Sequence, residues 1–382
     1  MSPRRELALA LSAALILAIG MGFGRFAFTG LYPLMVGEGV LSVNGGSLAA
    51  SANYAGYLLG ALALARSPER LAPLLCRVAL LGTLLGLAAM AVPAPAWFAI
   101  GVRLLAGVLS AVALVGASVW LLHVMQQHRG APLMFSGVGV GILLSAELIA
   151  GGHGAGLGSP AIWLLLAGAG AVLALLAWPA LGRPAAASTV HAPAQAPALA
   201  PMPAASLLLI YGLAGFGYII TATYLPLLMR GGALSPLQAW AVFGLAAAPS
   251  CFFWHWLHLR LGTRRALAAN LLVQALGVIL PVLQHSAPAY LASALLVGGT
   301  FMGTPTIALP TARLAASKVR FNMLAAMTAV YGVGQIVGPL ASSALYQLGG
   351  SFGPALLAAG AALLLGAACT WQPARAAASC PR

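Results

Sequence analysis

The sequence contains no aspartate, and charged residues make up only 6% of its 382 positions. Soluble domains carry about a quarter charged residues, so this scarcity excludes a water-soluble fold. Cysteine is almost as rare: Cys76, Cys251, Cys369 and Cys380 lie far apart with no paired spacing, which rules against a disulfide framework or a zinc site. There is no Walker loop, no dinucleotide fingerprint and no nucleophile–base–acid set, so neither an ATP-driven pump nor a membrane enzyme is expected, and no cofactor.

What remains is hydrocarbon. Apolar residues form 62% of the chain. A bilayer core of roughly 30 Å needs about 20 such residues per helix, and about twelve runs of that length fit here. The expected fold is an all-α membrane protein of twelve transmembrane helices in two pseudo-symmetric six-helix halves. The expected helices are 7–36, 46–65, a third running from the 66–70 link to 92, 96–124, 132–150 and 160–181, then 206–229, 236–259, 265–284, 288–313, 322–346 and 352–371. Residues 1–182 form the first half and 206–382 the second. The segment 183–205, rich in proline and alanine, reads as a cytoplasmic linker.

The net charge of +14 would suggest nucleic acid in a soluble protein. Its placement explains it better. Arg4, Arg5, Arg66, Arg70, Arg77, Arg129, Arg183, Arg260, Arg264, Arg265, Arg313, Lys318, Arg320, Arg375 and Arg382 fall at alternate loops or termini, and the opposite loops hold only Arg230. By the positive-inside rule both termini are cytoplasmic, in a bacterial inner membrane, with the basic loops against anionic lipid headgroups. The first apolar run is far longer than a signal-peptide core and is expected to be an uncleaved helix.

One stretch stands out inside that run, Gly22-Phe23-Gly24-Arg25-Phe26 through Pro33, because it puts a guanidinium where hydrocarbon should be. Its frame returns at Gly215-Phe216-Gly217-Tyr218 through Pro226, with Tyr218 in place of Arg25. A second echo pairs Gly137-Val138-Gly139 with Gly332-Val333-Gly334.

With its two halves, its linker and its cytoplasmic termini, the chain resembles the major facilitator superfamily. Arg103-Leu104-Leu105-Ala106-Gly107 is similar to that family's Arg-x-x-x-Gly motif, whose arginine is linked to proton coupling in many members. Gly338-Pro339 resembles its Gly-Pro packing signature, and Arg260-Leu261-Gly262-Thr263-Arg264-Arg265 its basic loop between helices 8 and 9. The loop between helices 2 and 3 keeps only Glu69-Arg70, and helix 5 lacks the proline of drug/proton antiporters. More narrowly, Gly-Phe-Gly-Arg-Phe, Ser51-Ala52-Asn53-Tyr54-Ala55-Gly56-Tyr57 and Gly-Phe-Gly-Tyr-Ile-Ile resemble the YbfB/YjiJ-type branch. The resemblance implies a transporter whose helices 1 and 4 line a central cavity, flanked by helix 5.

Arg25, Arg103 and Glu147 are the only formal charges well inside expected helices. Counted from the outer helix ends at 1.5 Å per residue, all three lie within roughly 10 Å of one another in depth. An unpaired charge at mid-bilayer costs at least about 2.5–3.5 kcal/mol, so such residues are expected to face a cavity and a partner. An Arg–Glu–Arg cluster follows as an expectation, with Arg25 and Arg103 holding a substrate anion and Glu147, together with Arg103, coupling its movement to protons. The alternative is a static ion pair between helices 1, 4 and 5. Asn53, Tyr57, Tyr218 and Gln335 are polar tips in apolar runs and serve as candidate substrate-binding groups, with Tyr54 and Tyr331 beside them. Tyr32, Tyr224 and Tyr346, near helix ends, suit the aromatic belt, as does Phe252-Phe253-Trp254-His255-Trp256-Leu257-His258, whose two histidines lack a ligand set for metal. His123 and His128 flank a loop and are expected to be solvated. The glycine strips at 20/22/24, 137/139/141 and 332/334/338 allow close helix approach, and Pro305, Pro310 and Pro339 offer bend points.

The expected function is secondary transport by alternating access, as a monomer, of a small organic anion coupled to protons. The alternatives are proton-coupled efflux of amphipathic drugs or metabolites, and a non-transporting membrane receptor.

Overall fold

The computed structural model describes residues 3–182, 202–229, 235–316, 319–320 and 323–371. Most of the expected linker lies outside them, as do Arg183, Arg230, Lys318, Arg375, Arg382 and Cys380, and the side chains of His128 and Arg313. All regular structure among the described residues is helical. Inside a bilayer no water is available to the backbone, and a helix satisfies its own N–H and C=O groups.

In chain order the helices are α1 (Pro3–Gly37), α2 (Val43–Ala63), α3 (Glu69–Ala89), α4 (Ala96–Val124), α5 (Ala131–Gly154), α6 (Ser159–Gly182) and α7 (Ala204–Leu228). They continue with α8 (Pro236–Leu283), α9 (Ala287–Phe301), α10 (Gly303–Ala316), α11 (Met323–Gly349) and α12 (Gly353–Cys369). Polar caps mark several starts: the Ser42 hydroxyl accepts from the Gly45 N–H at 3.0 Å, and Ser286 from Ala289 at 3.4 Å. Gly262 (φ 75°, ψ 169°) is non-helical and divides α8 into two arms, where two separate helices were expected. The expected helix 288–313 is broken at Met302, between α9 and α10. Pro305 supplies the cause, since a proline ring clashes with the carbonyl four residues before it, here that of Phe301.

Among the described residues, 8 helices are long and apolar enough to cross a bilayer. The exterior fits that setting: Leu85, Leu175 and Leu283 are each at least 70% exposed, so their partner is hydrocarbon. Two further long helices, α2 and α11, carry serine and tyrosine along their length, with asparagine in α2 and glutamine in α11. These two pack on each other, so their polar side chains meet inside the protein.

Glycines set the helix spacing. A methyl at Gly107 in α4 would run into the Asn53 carbonyl of α2, and one at Gly56 in α2 into the Leu104 carbonyl of α4. The paired Gly-x-Gly motifs of α5 and α11 behave alike. Gly137 rests on Ala14 of α1 while Gly139 rests on Ala248 of α8; Gly334 rests on Gly212 of α7 while Gly332 rests on Leu58 of α2. In each motif one glycine meets the first or seventh helix and the other meets the eighth or second.

Candidate functional site

The site starts from a change of helical pitch. Within α1, residues Ala18–Phe26 wind as a π-helix. Its three glycines point at three different helices: a Cβ on Gly20 would strike Ala113 of α4, on Gly22 the Gly141 backbone of α5, and on Gly24 Thr83 of α3. A side chain at any of them would push α1 out of the bundle. A π turn is wider than an α turn and re-aims the residues at its end, and carbonyls at a change of pitch need donors from outside the helix. Arg25 sits in that last turn and is 3% exposed.

Arg103 supplies those donors. Its Nη1 donates to the Gly24 carbonyl and its Nη2 to the Arg25 carbonyl, both at 2.7 Å, while its guanidinium lies 4.7 Å from the Phe28 ring centroid. The Asn53 amide of α2 donates in turn to the Arg103 carbonyl at 2.9 Å. Arg103 and Asn53, both expected to bind substrate, thus tie α2, α4 and α1 together through backbone carbonyls. An arginine fork that already grips two carbonyls is a strut for the π segment.

Arg25 is placed differently. Its guanidinium lies over the rings of Tyr57 (4.1 Å), Tyr54 (5.0 Å) and Phe26 (5.3 Å). The side chain also hydrogen-bonds the Tyr57 hydroxyl, while ring contacts use the guanidinium face and leave the remaining in-plane N–H groups free for a partner. Two of its nitrogens, Nε and Nη2, are buried without a hydrogen-bond partner. The chain has 4 acidic side chains, and none pairs with it. Glu6 lies in the first turn of α1. Glu38 caps α6, accepting from the Ser159 N–H at 3.0 and 3.2 Å and from its hydroxyl. Glu69 holds His123 Nδ1 at 2.9 Å. Glu147 is exposed, on the stripe of α5 that also exposes Val140 and Leu144. The expected Arg–Glu–Arg cluster therefore does not form: Glu147 is on an exposed face of α5, roughly 100° round from the Gly137/Gly141 side that packs on α1.

The C-terminal helices complete the surroundings with rings. Tyr211, Tyr331, Tyr218 and Phe301 form a continuous stack, with centroids 4.4, 5.8 and 5.6 Å apart and planes within 27°. Phe26, one of the rings under the Arg25 guanidinium, meets Phe301 of this stack with centroids 5.9 Å apart. Gln335 donates through Nε2 to the Tyr218 hydroxyl, and its Oε1 is buried without a partner. Tyr57 and Tyr331 are half-buried, whereas Tyr54, Tyr218 and Gln335 are buried. Of the expected substrate group, Arg25, Tyr57, Tyr218 and Gln335 come together, and Asn53 faces α4 instead. Tyr211 and Phe301 were missed. Tyr211 lies seven residues before Tyr218 on the same helical face, a spacing that could have flagged it.

Beside this cluster, α2 is bonded to α7 and α11. The Ser47 and Tyr224 hydroxyls are 2.7 Å apart, Tyr224 donates to the Pro339 carbonyl at 3.0 Å, and Ser343 donates to Asn44 Oδ1 at 3.1 Å. Ser51 donates to the Ile336 carbonyl at 3.1 Å, and the Tyr54 and Thr223 hydroxyls are 3.3 Å apart. These bonds span Asn44–Tyr54, the N-terminal part of α2. Tyr224 and Tyr32 are fully buried, the latter donating to the Val43 carbonyl at 2.6 Å, so neither belongs to an aromatic belt as expected. In the Phe252–His258 segment, Phe252, Phe253 and Trp256 are exposed as belt residues would be. Trp254 and His258 turn inward, to the Gly299 carbonyl (2.6 Å) and Thr263 (2.9 Å).

A family model described as "Uncharacterised MFS-type transporter YbfB" matches residues 17–370, which is nearly the whole chain. The chain belongs to this family of the major facilitator superfamily and is a multi-pass membrane transporter. No curated protein matches it.

Proposed function

We propose that this transporter carries a small organic anion by alternating access, with Arg25 as the anion-binding group. The observation that carries the reading is the Arg25 side chain, buried with Nε and Nη2 unpartnered while all 4 glutamates are engaged or placed elsewhere. A buried cation without a partner is costly, and here the missing partner is the cargo. Nε–H and the neighbouring Nη2–H point the same way along one edge of the guanidinium, a spacing that matches the two oxygens of a carboxylate. Tyr57, Tyr218 and Gln335 line the same place.

The proposed frame is twelve spans in two halves, 1–182 and 206–382, joined by the 183–205 linker and rocking about the centre. The reciprocal seating of the α5 and α11 glycine motifs supports it, because exchanging the halves exchanges α1 with α7 and α8 with α2. Cytoplasmic termini in an inner membrane follow from the basic loops. The α2 bonds to α7 and α11 then close the outer side of the site.

Proton coupling remains part of the proposal, without a role for Glu147 as an arginine partner. The test uses purified full-length protein, a pool of organic monocarboxylates and a pool of lipophilic cations. Stabilisation by the carboxylates is expected, and Arg25→Gln weakens it at least tenfold, as loss of a charged hydrogen bond predicts. In proteoliposomes Glu147→Gln leaves carboxylate-driven flux within about twofold of the parent. Stabilisation by cations alone, untouched by Arg25→Gln, would sink the anion reading in favour of amphipathic efflux. One observation leans that second way: an apolar groove of about 350 Å³ between α7 and α11, lined by Leu208, Gly212, Phe216, Val333 and Val337.

A further inference from the structure

We infer that the cargo is an aromatic carboxylate bearing a ring hydroxyl. This rests on the anion site at Arg25 and narrows it through two other features of the same cluster. The first is the composition and attitude of the walls. Apart from Arg25 and Gln335, the groups that converge are rings, and four of them, from Tyr211 to Phe301, form one stack with planes within 27° of their neighbours. Tyr54 and Tyr57 extend the aromatic surface to the guanidinium. The rings of the stack cover one another's faces, so a flat cargo ring meets their rim in edge-to-face contact, which a branched or flexible aliphatic chain reproduces less well. The guanidinium edge fixes where the carboxylate of that ring must lie.

The second feature is Gln335. Its amide is 1% exposed and makes one hydrogen bond, to the Tyr218 hydroxyl, which leaves Oε1 unsatisfied. A buried amide oxygen without a partner calls for a donor. A hydroxyl meets that need, and because it also accepts, it fits the amide in either orientation of its oxygen and nitrogen. Arg25 and Gln335 thus make opposite demands, a carboxylate for one and a hydroxyl for the other, and they are linked through the rings of Phe26, Phe301 and Tyr218. A bare aliphatic acid would satisfy only the first. An amphipathic cation could at most donate to Gln335 and would leave Arg25 worse off.

The test is competition in proteoliposomes of the full chain. Uptake of radiolabelled 4-hydroxybenzoate is measured against unlabelled 2-, 3- and 4-hydroxybenzoate, benzoate, cyclohexanecarboxylate and butyrate. Benzoate is expected to compete about three- to tenfold better than cyclohexanecarboxylate, the difference that edge-to-face ring contact supplies. At least one hydroxybenzoate isomer is expected to exceed benzoate by a similar factor. Gln335→Leu brings the hydroxybenzoate-to-benzoate ratio near one. The wild-type series stands alone should that variant fail to fold. Equal competition by cyclohexanecarboxylate and benzoate overturns the aromatic inference and leaves the anion site intact. A flat ranking among benzoate and all three hydroxybenzoates overturns the hydroxyl. Absence of uptake and of competition by every acid, with no carboxylate stabilisation of the purified protein, overturns both this inference and the anion reading beneath it.

Discussion

A guanidinium can serve a membrane protein as a strut or as a receptor, and in the proposed reading Arg103 and Arg25 divide these roles. The Arg103 fork closes on two backbone carbonyls of α1. A lysine there keeps the charge but offers a point donor in place of a fork, so it can hold only one carbonyl well. Arg103→Lys is expected to destabilise the protein by about 1–3 kcal/mol, the cost of leaving one buried carbonyl unpaired. Its thermal midpoint should fall while the ranking of carboxylates over cations in stabilisation assays persists. If the ranking inverted with the midpoint unchanged, Arg103 would belong to the receptor. The sequence makes both arginines conspicuous, because any charge in an apolar run is. It hides the difference between them, since the acceptors for Arg103 are carbonyls that every residue possesses. Depth was legible for Glu147 from a residue count, but depth says nothing about azimuth. The stripe Val140–Leu144–Glu147 against the stripe Gly137–Gly141 was the readable clue to which way its carboxylate points.

At the scale of helices, two devices position the site. The π segment of α1 exists where three glycines touch three neighbours, and it delivers Arg25 to the centre. The contact of α2 with α7 and α11 is polar, bonded through Ser47, Tyr224, Ser343 and Asn44. Such bonds break without exposing hydrocarbon to water, which would suit the parting and closing that the proposed alternating access requires. Tyr224→Phe removes one of them, to Ser47, together with the α7–α11 bond to Pro339, at about 0.5–1.5 kcal/mol each. A cysteine introduced at Ser343 should then react several-fold faster with a membrane-impermeant thiol reagent applied outside. An unchanged rate would mean that the contact is static. The apolar runs were readable because the bilayer imposes one length and one composition on every span. The break at Met302 was less so: Pro305 announced a bend, and only its clash with the carbonyl four residues earlier says where. Tyr224 and Tyr32 were misread because a tyrosine near a helix end looks the same in sequence whether it anchors to lipid or locks two helices.

For the whole molecule, the repeated motifs are the basis of the two-half plan proposed above. Gly-Phe-Gly and Gly-Val-Gly recur at matching positions, but in the folded chain the second pair is seated two residues out of register, with Gly137 on α1 and Gly334, not Gly332, on α7. The repeat departs from itself at one place that matters, since Tyr218 stands where Arg25 does. The centre therefore holds a positive charge from one side and a ring stack from the other, and with only 4 glutamates in the chain it has no anion of its own to set against that charge. The consequence concerns the return journey. A protein that has released its cargo must close over a bare guanidinium before it can face the other way, at a cost of at least about 2.5–3.5 kcal/mol, or roughly a hundredfold in rate. Vesicles preloaded with unlabelled cargo should take up label about a hundredfold faster than empty ones, and equal rates would mean that the charge is neutralised by another route. In the proposed reading, trading one anion for another is then the fast mode and net proton-coupled uptake the slow one, and because a one-for-one trade of monoanions moves no net charge, the speed of exchange should be indifferent to membrane voltage.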